Sequence, residues 1–184
     1  MSDAEANLHV AESVAAVLLE FQVDAVVIGA IALAAHHYVR YTEDIDLGIN
    51  TDLARLRQIT DALRAKGFQA ELRKPYDADP LSGVTDVTGA FGLVQIVNFG
   101  QTFSAVIPDA VRDANLTVRP GSALKLVPLA HLVALKLYAG GLKSKADVAE
   151  LLSRNPEADI DQIRRLCESY RLRGFDEILD DISG

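Results

Sequence analysis

The sequence predicts an α/β fold in which strands alternate with helices as far as residue 127 and only helices follow. Two observations support this prediction. In the first part of the chain, runs that are β-branched or alternate between apolar and polar residues lie between segments with helical spacing. From Pro128 onward, apolar residues recur at helical spacing alone. Because no long linker rich in Pro, Gly or Ser separates the parts, we expect an α/β core over 1–127 and a helical subdomain over 128–184 that pack as one unit.

The composition is that of an ordinary globular domain. The 184 residues are 49% hydrophobic and 24% charged, which excludes a disordered or fibrous chain. A single cysteine, Cys167, excludes a disulfide framework within the chain and a zinc site built from cysteines. The net charge of −8 argues against non-specific coating of nucleic acid, which needs many Lys and Arg contacts to phosphate, but it permits a local basic site.

The sequence also predicts a cytoplasmic protein without a membrane partner. The longest run that lacks charged and polar side chains covers residues 25–35, whereas a membrane-spanning helix needs about 20 apolar residues. The first residues, Met-Ser-Asp-Ala-Glu, are acidic and do not resemble a signal peptide.

The elements of the first 66 residues are predicted from apolar spacing and from residues that begin or end helices. Apolar residues at helical spacing predict the first helix, and a short β-branched run that ends at Gly29 predicts a buried strand. An Ala- and Leu-rich helix follows, and then a strand in which charged and apolar residues alternate. Thr51 or Asp52 caps a third helix, which Gly67 stops. These elements are a helix over 4–20, a strand over 25–28, a helix over 30–38, a strand over 44–49 and a helix over 52–66.

Between residues 68 and 127 the sequence predicts short strands and one weak helix. The loop 74–80 contains two prolines and separates the first two of three strands. The helix is weak because Pro108 interrupts it, and Arg119-Pro120-Gly121-Ser122 joins two short segments as a hairpin. These elements are strands over 68–72, 84–87 and 91–99, a helix over 103–112, and hairpin arms over 116–118 and 123–127.

The remainder of the chain is predicted to be helical. Stripes of apolar residues at helical spacing, such as Ile160, Ile163 and Leu166, indicate that the last two helices face the core. We expect four helices here, near 128–139, 145–153, 159–170 and 172–182.

Two carboxylates on the predicted strand 44–49 form the sharpest chemical feature of the sequence. Alternate side chains of a strand share a face, so Asp44 and Asp46 project together while Ile45 and Leu47 face the core. Two adjacent carboxylates repel each other unless a cation lies between them, and Mg²⁺ binds one or two carboxylates together with substrate phosphates. The alternative is a solvated strand face on which both acids pair with Lys or Arg.

A glycine between the first strand and the second helix indicates where phosphate could bind. Gly29 allows a tight turn and a close approach of the backbone. The N-terminus of the helix that begins with Ala30 presents free N–H groups to an anion. One helix and a return to the sheet separate this turn from Asp44, so a phosphate cradle and the carboxylate pair can meet at one end of a small sheet. The alternative is a plain turn between a strand and a helix.

The order of these features resembles the nucleotidyltransferase fold of the DNA polymerase β-like superfamily. Its signature is a strand followed by Gly and then Gly or Ser, a helix, and Asp-x-Asp, seen here at Gly29-Ala30 and Asp44-Ile45-Asp46. Downstream, 94–100 looks like the strand that carries the family's third carboxylate. Segments 129–140 and 143–152 are similar to the helical end of the AbiEii-type branch, which includes toxins of bacterial toxin–antitoxin pairs.

This resemblance covers residues 22–153 and implies a mixed sheet that binds an NTP and a divalent metal. Asp44 and Asp46 would bind Mg²⁺ (or Mn²⁺) and orient the triphosphate for in-line attack. Lys136 would contact phosphate, and Asp147 would act near the nucleotide or hold Lys136 or Lys143 in place. The catalytic set that the resemblance implies is Asp44, Asp46, Lys136 and Asp147.

A second set of residues would hold the nucleotide. The resemblance implies that the backbone at the strand–helix turn holds the terminal phosphates, and lysines at the helical end are further candidates for contact with nucleotide or acceptor. Arg40, in the loop before the Asp pair, either neutralises phosphate or pairs with Glu43. This nucleotide-binding set is Gly29, Ala30, Arg40, Lys136, Lys143 and Lys145.

Two residues depart from the family's pattern. Ala30 stands where Gly or Ser is usual, which keeps the backbone donor but loses a hydroxyl. Gln95 falls where the third carboxylate usually lies, and an amide carries no charge and cannot act as a general base. Asp86, on the preceding strand, could supply the missing charge.

The leading prediction is a Mg²⁺-dependent nucleotidyltransferase that moves NMP from an NTP to an RNA (tRNA-like), protein or small-molecule acceptor. The AbiEii-type likeness adds a cognate antitoxin as a candidate partner. The alternative, which Gln95 and Ala30 support, is a catalytically degenerate protein of this fold that binds a nucleotide or a protein partner without transfer. Both are kept because one fold hosts many functions.

Overall fold

The computed structural model describes residues 3–40, 42, 44–76 and 80–183. Within them, six strands form one sheet. They are β1 (Ala25–Ile28), β2 (Asp44–Ile49), β3 (Gln69–Arg73), β4 (Val84–Gly89), β5 (Gly92–Asn98) and β6 (Lys125–Leu126). The strand order is β3-β4-β5-β2-β1-β6, with parallel pairing of β2 with β5 and of β1 with β6 and antiparallel pairing elsewhere. The sheet is therefore mixed.

Eight helices accompany the sheet in the described part of the chain. Four lie among the strands: α1 (Asp3–Glu20), α2 (Gly29–Ala35), α3 (Leu53–Ala65) and α4 (Val106–Asp113). Four follow the last strand: α5 (Leu129–Ala139), α6 (Gly141–Arg154), α7 (Ile160–Ser169) and α8 (Phe175–Ser183). This order confirms the predicted α/β fold class. Among the described residues we find no helix whose length and hydrophobicity would let it span a bilayer.

The strand β2 divides its side chains between two environments. Ile45, Leu47 and Ile49 are buried in a core cluster that they share with apolar side chains of α1 and α3. Asp44 and Asp46 alternate with them and remain partly exposed. The predicted alternation is confirmed, and it places both carboxylates on the face of the sheet that lies opposite α1 and α3.

The face that carries the two carboxylates is covered only in part. Val26 and Ile28 of β1 share a core cluster with Ile107 of α4 and with Leu132 and Leu135 of α5. Polar side chains of β3, β4 and β5 lie farther along the same face and are partly or fully exposed; these are Gln69, Glu71, Asp86, Thr88 and Gln95. The carboxylates of β2 therefore lie at the boundary between a covered and an open half of the sheet.

The helical part packs directly on the sheet. α5 contacts α4, α6 and α7, and its buried apolar side chains belong to the same core cluster as Val26 and Ile28 of β1. The division of the chain at residue 127 stays a prediction.

Four helix boundaries differ from the predictions by three residues or more. α4 begins at Val106 rather than at 103. α2 ends at Ala35 rather than at residue 38, because His37 has a φ of 66°, which a right-handed helix cannot continue. α6 begins at Gly141 rather than at 145, directly after Gly140, whose φ is 67°. α8 begins at Phe175 rather than at 172, directly after Gly174, whose φ is 91°.

Two helix N-termini show how local sequence sets these elements. Of the two predicted caps of α3, Asp52 is the one observed, since its Oδ1 accepts the backbone N–H of Arg55 at 2.7 Å. Pro108 does not interrupt α4, contrary to the prediction. The helix begins at Val106, so Pro108 lies in its first turn, where a backbone N–H would have no partner within the helix. The helix therefore continues to Asp113 without losing a hydrogen bond.

The predicted hairpin is present, but only a short part of it joins the sheet. The backbone N–H of Val118 donates to the carbonyl of Leu124 at 3.0 Å, and that of Ser122 donates to the carbonyl of Arg119 at 3.1 Å. The sequence predicts a second arm over 123–127, whereas β6 contains two residues, paired in parallel with β1. The edge of the sheet at β6 is therefore short.

Candidate functional site

The turn from β1 into α2 lies against a carboxylate of the neighbouring strand. Ile28, the last residue of β1, pairs with Asp46 in the antiparallel register of β1 and β2. Gly29 follows with a φ of 70°, a conformation that favours glycine. A Cβ atom at Gly29 would overlap Asp46 Oδ2 and would lie 2.8 Å from Asp46 Cγ. The carboxylate of Asp46 therefore packs directly against the backbone of Gly29.

The environment of Asp46 disfavours its negative charge. Burial, followed by the charge of Asp44, raises the pKa of Asp46 to about 6, and Lys136 opposes this shift. Asp44 lies two residues earlier on the same face, and its backbone N–H donates to Thr42 Oγ1 at 3.1 Å. A cation bound between the two carboxylates would remove their repulsion and favour the ionised form of Asp46.

A second carboxylate holds two of the predicted cations. Asp147 of α6 is only 3% exposed. Lys136 Nζ, on α5, donates to Asp147 Oδ2 at 2.7 Å. Arg40 Nη1 donates to Asp147 Oδ1 at 2.9 Å and to its Oδ2 at 3.0 Å. Two cations thus share one carboxylate, so the cluster carries one net positive charge next to Asp46.

Arg40 has a partner that the sequence did not suggest. The sequence left phosphate and Glu43 as alternatives, and Glu43 lies outside the described residues. Among the described residues, the structure pairs Arg40 with Asp147. Because Arg40 belongs to the loop between α2 and β2, this ion pair joins the segment before the Asp pair to α6.

A cavity of about 290 Å³ brings Gly29, Asp46 and Lys136 together. Tyr138 Oη donates to the carbonyl of Pro80 at 2.6 Å, which joins α5 to the segment that precedes β4. The other walls are mainly apolar and include Leu81, Val97, Phe99, Leu132 and Leu135. The cavity therefore has one charged wall, suited to phosphate and a cation, and one wall suited to an apolar group.

A larger cavity, of about 600 Å³, lies elsewhere, between α1 and the hairpin that precedes β6. Its charged side chains include Glu12 and Arg119, which pair with each other, and Ser122 Oγ donates to Glu12 Oε1 at 2.6 Å. None of the predicted site residues lines this cavity. We therefore place the candidate site at the smaller cavity, where a carboxylate, a lysine and the strand–helix turn converge.

The strand beside β2 carries Gln95 next to Asp46. Asp46 pairs in register with Gln95 on β5, and Gln95 pairs in register with Asp86 on β4. Gln95 Nε2 donates to Asp86 Oδ1 at 2.6 Å, and Arg73 Nε donates to Asp86 Oδ2 at 2.6 Å. Burial raises the pKa of Asp86, but the hydrogen bonds from Arg73 and Gln95 outweigh burial and hold this pKa below its usual value. The prediction that Asp86 could supply the missing charge is therefore not met, since Asp86 is one strand too far and already paired.

The donor set suits a hard divalent cation. Asp44 and Asp46 supply carboxylate oxygens on one face of one strand, and such oxygens are preferred by Mg²⁺ and Mn²⁺. Within residues 3–40, 42, 44–76 and 80–183, no three His, Cys, Asp or Glu side chains come together in a way that could hold a metal. These two carboxylates fit one such ion, which would take its other ligands from phosphate and water.

Comparison with known proteins identifies the fold. Neither the family models nor the curated proteins searched give a match to the sequence. Among solved structures, ANT(2'')-Ia in complex with adenylyl-2''-tobramycin aligns with a TM-score of 0.53 and 13% identity, over 86% of this chain and 92% of its own. An antigenic nucleotidyltransferase-like protein from Paracoccidioides brasiliensis aligns with a TM-score of 0.50 and 19% identity, over 82% of this chain and 75% of its own. The chain has the nucleotidyltransferase fold.

A solution structure of the antibiotic-resistance factor ANT(2'')-Ia shows the same likeness. It aligns with a TM-score of 0.51 and 13% identity, over 92% of this chain and 93% of its own. These alignments confirm the fold that the Gly-helix-Asp-x-Asp pattern predicts. None of the three structures is described as an AbiEii-type toxin, so that finer resemblance stays a prediction.

The remaining predicted residues take different positions within the nucleotidyltransferase fold. Ala30 lies in the first turn of α2, next to Gly29, where backbone N–H groups have no partner within the helix. Lys143 is exposed in the first turn of α6, one turn before Asp147. Lys145 Nζ lies 3.7 Å from Glu177 Oε2, so it is directed to α8 rather than to the cavity. The structure does not bring Lys145 to the site.

The apolar wall of the cavity was missed by sequence reasoning. Phe103 and Tyr138 pack with their ring centroids 4.5 Å apart, and Phe99 packs edge-on against Tyr138 at 6.5 Å. The nearest sequence signal is that Tyr138 follows Lys136 within the same predicted helix. The contact of that helix with Phe99, directly after β5, joins distant segments, which local spacing does not indicate.

Proposed function

We propose that this chain is a nucleotidyltransferase dependent on Mg²⁺ (or Mn²⁺), which transfers the NMP part of an NTP to an acceptor and releases pyrophosphate. The observation that supports this most is the environment of Asp46, which packs against Gly29, faces a cavity shared with Lys136 and has its pKa raised to about 6. A carboxylate so poorly compensated by the protein gains most from a bound cation.

The proposed reaction is an in-line displacement at the α-phosphorus. An acceptor oxygen forms a bond to this phosphorus, the bond to the pyrophosphate oxygen breaks, and the proton of the acceptor leaves to solvent. A divalent cation, when bound, neutralises the charge that develops on the phosphate oxygens. Asp44 and Asp46 hold it through their carboxylate oxygens. The backbone N–H groups of Gly29 and Ala30 bind phosphate, and Lys136, which lines the same cavity, adds a positive charge.

Asp147 and Arg40 support this chemistry by position. Asp147 holds Lys136 Nζ at 2.7 Å and so keeps the lysine at the edge of the cavity. Arg40 restrains the loop that leads into Asp44 and leaves the cluster with a positive charge that favours an anionic nucleotide. Lys143, one turn from Asp147, is placed to meet a triphosphate or acceptor that extends beyond the cavity.

In this proposal both parts of the chain contribute to one site. The core over 1–127 carries the carboxylates and the phosphate turn, and the helical subdomain over 128–184 carries Lys136 and Asp147. A cytoplasmic location fits the use of an NTP.

The acceptor is proposed from three considerations that point in different directions. The net charge of −8 counts against a large RNA footprint, although a tRNA-like end is small enough to enter the site. The fold neighbour ANT(2'')-Ia is bound to adenylyl-2''-tobramycin, which supports a small-molecule acceptor. The AbiEii-type likeness supports a toxin that acts on RNA or protein and is held by a cognate antitoxin.

A second candidate function is a degenerate nucleotidyltransferase that binds a nucleotide or a protein partner without transfer. Gln95 favours it, because the strand beside Asp46 offers an amide where a base would need a carboxylate. Ala30 favours it less, since the backbone N–H survives. Where the degenerate protein binds a nucleotide, the two candidates share the nucleotide site and differ only in product formation.

Thermal unfolding with each NTP, with and without Mg²⁺, tests the shared site. At a hundredfold excess over Kd, binding adds about 2.7 kcal/mol, which for a chain of this size raises the midpoint by roughly 5 to 11 °C. We expect this rise for the wild type with Mg²⁺ and its loss in Asp46→Asn. The matched control is Asp180→Asn, an exposed carboxylate on α8, which should keep the full rise.

Incubation with α-labelled NTP and candidate acceptors then separates the two candidates. Label transferred to RNA, protein or a small molecule, and lost in Asp46→Asn, supports the enzyme. A Mg²⁺-dependent thermal rise without any labelled product supports the binding protein. If no NTP raises the midpoint, the triphosphate site itself is wrong.

A further inference from the structure

A row of polar side chains crosses four strands on the open face of the sheet. Asp46 of β2, Gln95 of β5, Asp86 of β4 and Glu71 of β3 are register partners in turn. Register partners share a face, and neighbouring strands lie about 4.8 Å apart. The row therefore runs from a carboxylate through an amide to two further carboxylates, and the amide stands directly beside the candidate metal ligand.

The hydrogen bond of Gln95 fixes which end of its amide faces Asp86. A carboxylate only accepts hydrogen bonds, so the group that lies 2.6 Å from Asp86 Oδ1 must be the amide nitrogen. The nitrogen is thereby committed to the β4 side. The amide oxygen, a neutral and weak donor to a metal, is the only ligand atom that the Gln95 side chain can offer.

The negative charge that Gln95 lacks is present one strand away, on Asp86, where Arg73 neutralises it. Arg73 donates to both oxygens of Asp86, through Nε at 2.6 Å and through Nη2 at 3.0 Å. This two-point contact is the strong geometry for an arginine and a carboxylate. The negative charge of Asp86 is therefore compensated by Arg73 and Gln95. The strand β5 lies between Asp86 and Asp46.

We propose that Gln95 limits this site to one protein-held divalent cation, bound by Asp44 and Asp46, because the carboxylate that a second ion needs lies at Asp86 instead. A clamp of two metals has its ions about 3.5–4 Å apart and needs enough anionic ligands to hold both. Two carboxylates supply two negative charges, which match one divalent ion. This inference rests on the proposed function, since it concerns the same metal site.

The pairing of Gln95 with Asp86 also indicates which variant would place a carboxylate at position 95. Gln95→Glu alone would bring two carboxylates to hydrogen-bond distance, so it would be disfavoured by repulsion. The double variant Gln95→Glu/Asp86→Asn keeps the total charge. The amide introduced on β4 would donate through its nitrogen to the carboxylate introduced on β5 and would accept from Arg73 through its oxygen. The swap thus reverses one hydrogen bond and places a carboxylate beside Asp46.

Titration with Mn²⁺, followed by the electron paramagnetic resonance signal of the free ion, counts bound ions without any reaction. We expect one ion for the wild type, one for Asp86→Asn alone, none for Asp46→Asn, and two for the double variant. Circular dichroism and the thermal midpoint show whether each variant is folded. Asp86→Asn is the matched control, because it removes the charge at β4 without adding one at β5.

Each outcome decides a different point. If the wild type binds two ions, the inference is wrong whatever the variants do. The inference can therefore be tested on the wild type even if the double variant misfolds. One ion on a folded double variant overturns it too, because residue 95 would then not set the count. If neither the wild type nor the double variant binds an ion, the proposed metal-dependent function is wrong together with the inference.

Discussion

Asp46 and Asp147 are two shielded carboxylates of one site, and the protein surrounds them in opposite ways. Asp147 is 3% exposed and bonds two cations, Lys136 and Arg40, at 2.7–3.0 Å. Asp46 lies beside a second carboxylate, Asp44, and burial raises its pKa to about 6. The first arrangement stabilises the fold, and the second leaves a charge uncompensated.

The contrast indicates which carboxylates of this fold are available for function. Buried charges are normally paired, since an unpaired charge in a poorly solvated place is costly. Lys136 lowers the pKa of Asp46 only in part, because its ammonium group is bonded to Asp147. The cations near the cavity are thus held by Asp147, and the Asp44–Asp46 pair is left for a cation from solution. Uncompensated carboxylates in a cleft are typical of functional sites.

The largest expected effect comes from the paired carboxylate. Asp147→Ala removes the partner of two partly buried cations, and breaking a buried ion pair in this way costs about 3 kcal/mol or more. For a chain of this size the thermal midpoint should fall by roughly 6 to 12 °C. The midpoint should fall less for Asp147→Asn, because asparagine keeps one acceptor oxygen. Equal midpoints for wild type and Asp147→Ala would show that Asp147 does not hold these cations.

The uncompensated carboxylate should behave in the opposite way. Because the pKa of Asp46 is raised in the folded state, its favourable contribution is complete at low pH and is lost as pH rises through about 6. One pKa unit corresponds to about 1.4 kcal/mol, so the ionised carboxylate destabilises the fold by about 2–3 kcal/mol at neutral pH. Asp46→Asn should therefore be more stable than the wild type by this amount near pH 8, and should lose that advantage near pH 4.

Urea denaturation in the presence of a chelator, repeated across this pH range, measures that difference. The chelator matters because a bound divalent cation would compensate Asp46 and hide the effect. Asp180→Asn, on the exposed face of α8, is the control and should follow the wild type at every pH. Parallel curves for wild type and Asp46→Asn would mean that Asp46 is compensated after all.

Much of this contrast could be predicted from sequence, and the part that could not depends on long-range contacts. Alternation along 44–49 predicts that Asp44 and Asp46 share a face, and the β-branched run before Gly29 predicts the strand that meets them. These are local patterns with a fixed period. The pKa of Asp46 depends on how helices and strands far apart in sequence shield it, which no spacing reveals.

The partners of the site cations were harder to predict for the same reason. Five of the six strands lie between Arg40 and Asp147 along the chain, so local spacing does not indicate their ion pair. Lys143 and Lys145 are two residues apart, so they project from different sides of α6, and Lys145 contacts α8 instead. The predicted break of α4 at Pro108 was wrong because the effect of a proline depends on its place within the helix, and the helix begins at Val106 rather than at 103.

The smallest of the three effects tests the contact that defines the Asp46 environment. Gly29→Ala has two costs: a φ of 70°, which an L-residue adopts at about 1–2 kcal/mol, and a Cβ that overlaps the carboxylate of Asp46. We expect a loss of about 2 kcal/mol in the free energy of unfolding, measured with urea. The double variant Gly29→Ala/Asp46→Ala removes the overlap and keeps the backbone cost. Because residues in contact are not additive, Gly29→Ala should cost less when Asp46 is replaced by Ala than when Asp46 is present. If Gly29→Ala costs the same in both backgrounds, Asp46 does not rest against this turn, and the carboxylate would be free to reach solvent, which would remove the reason for its raised pKa.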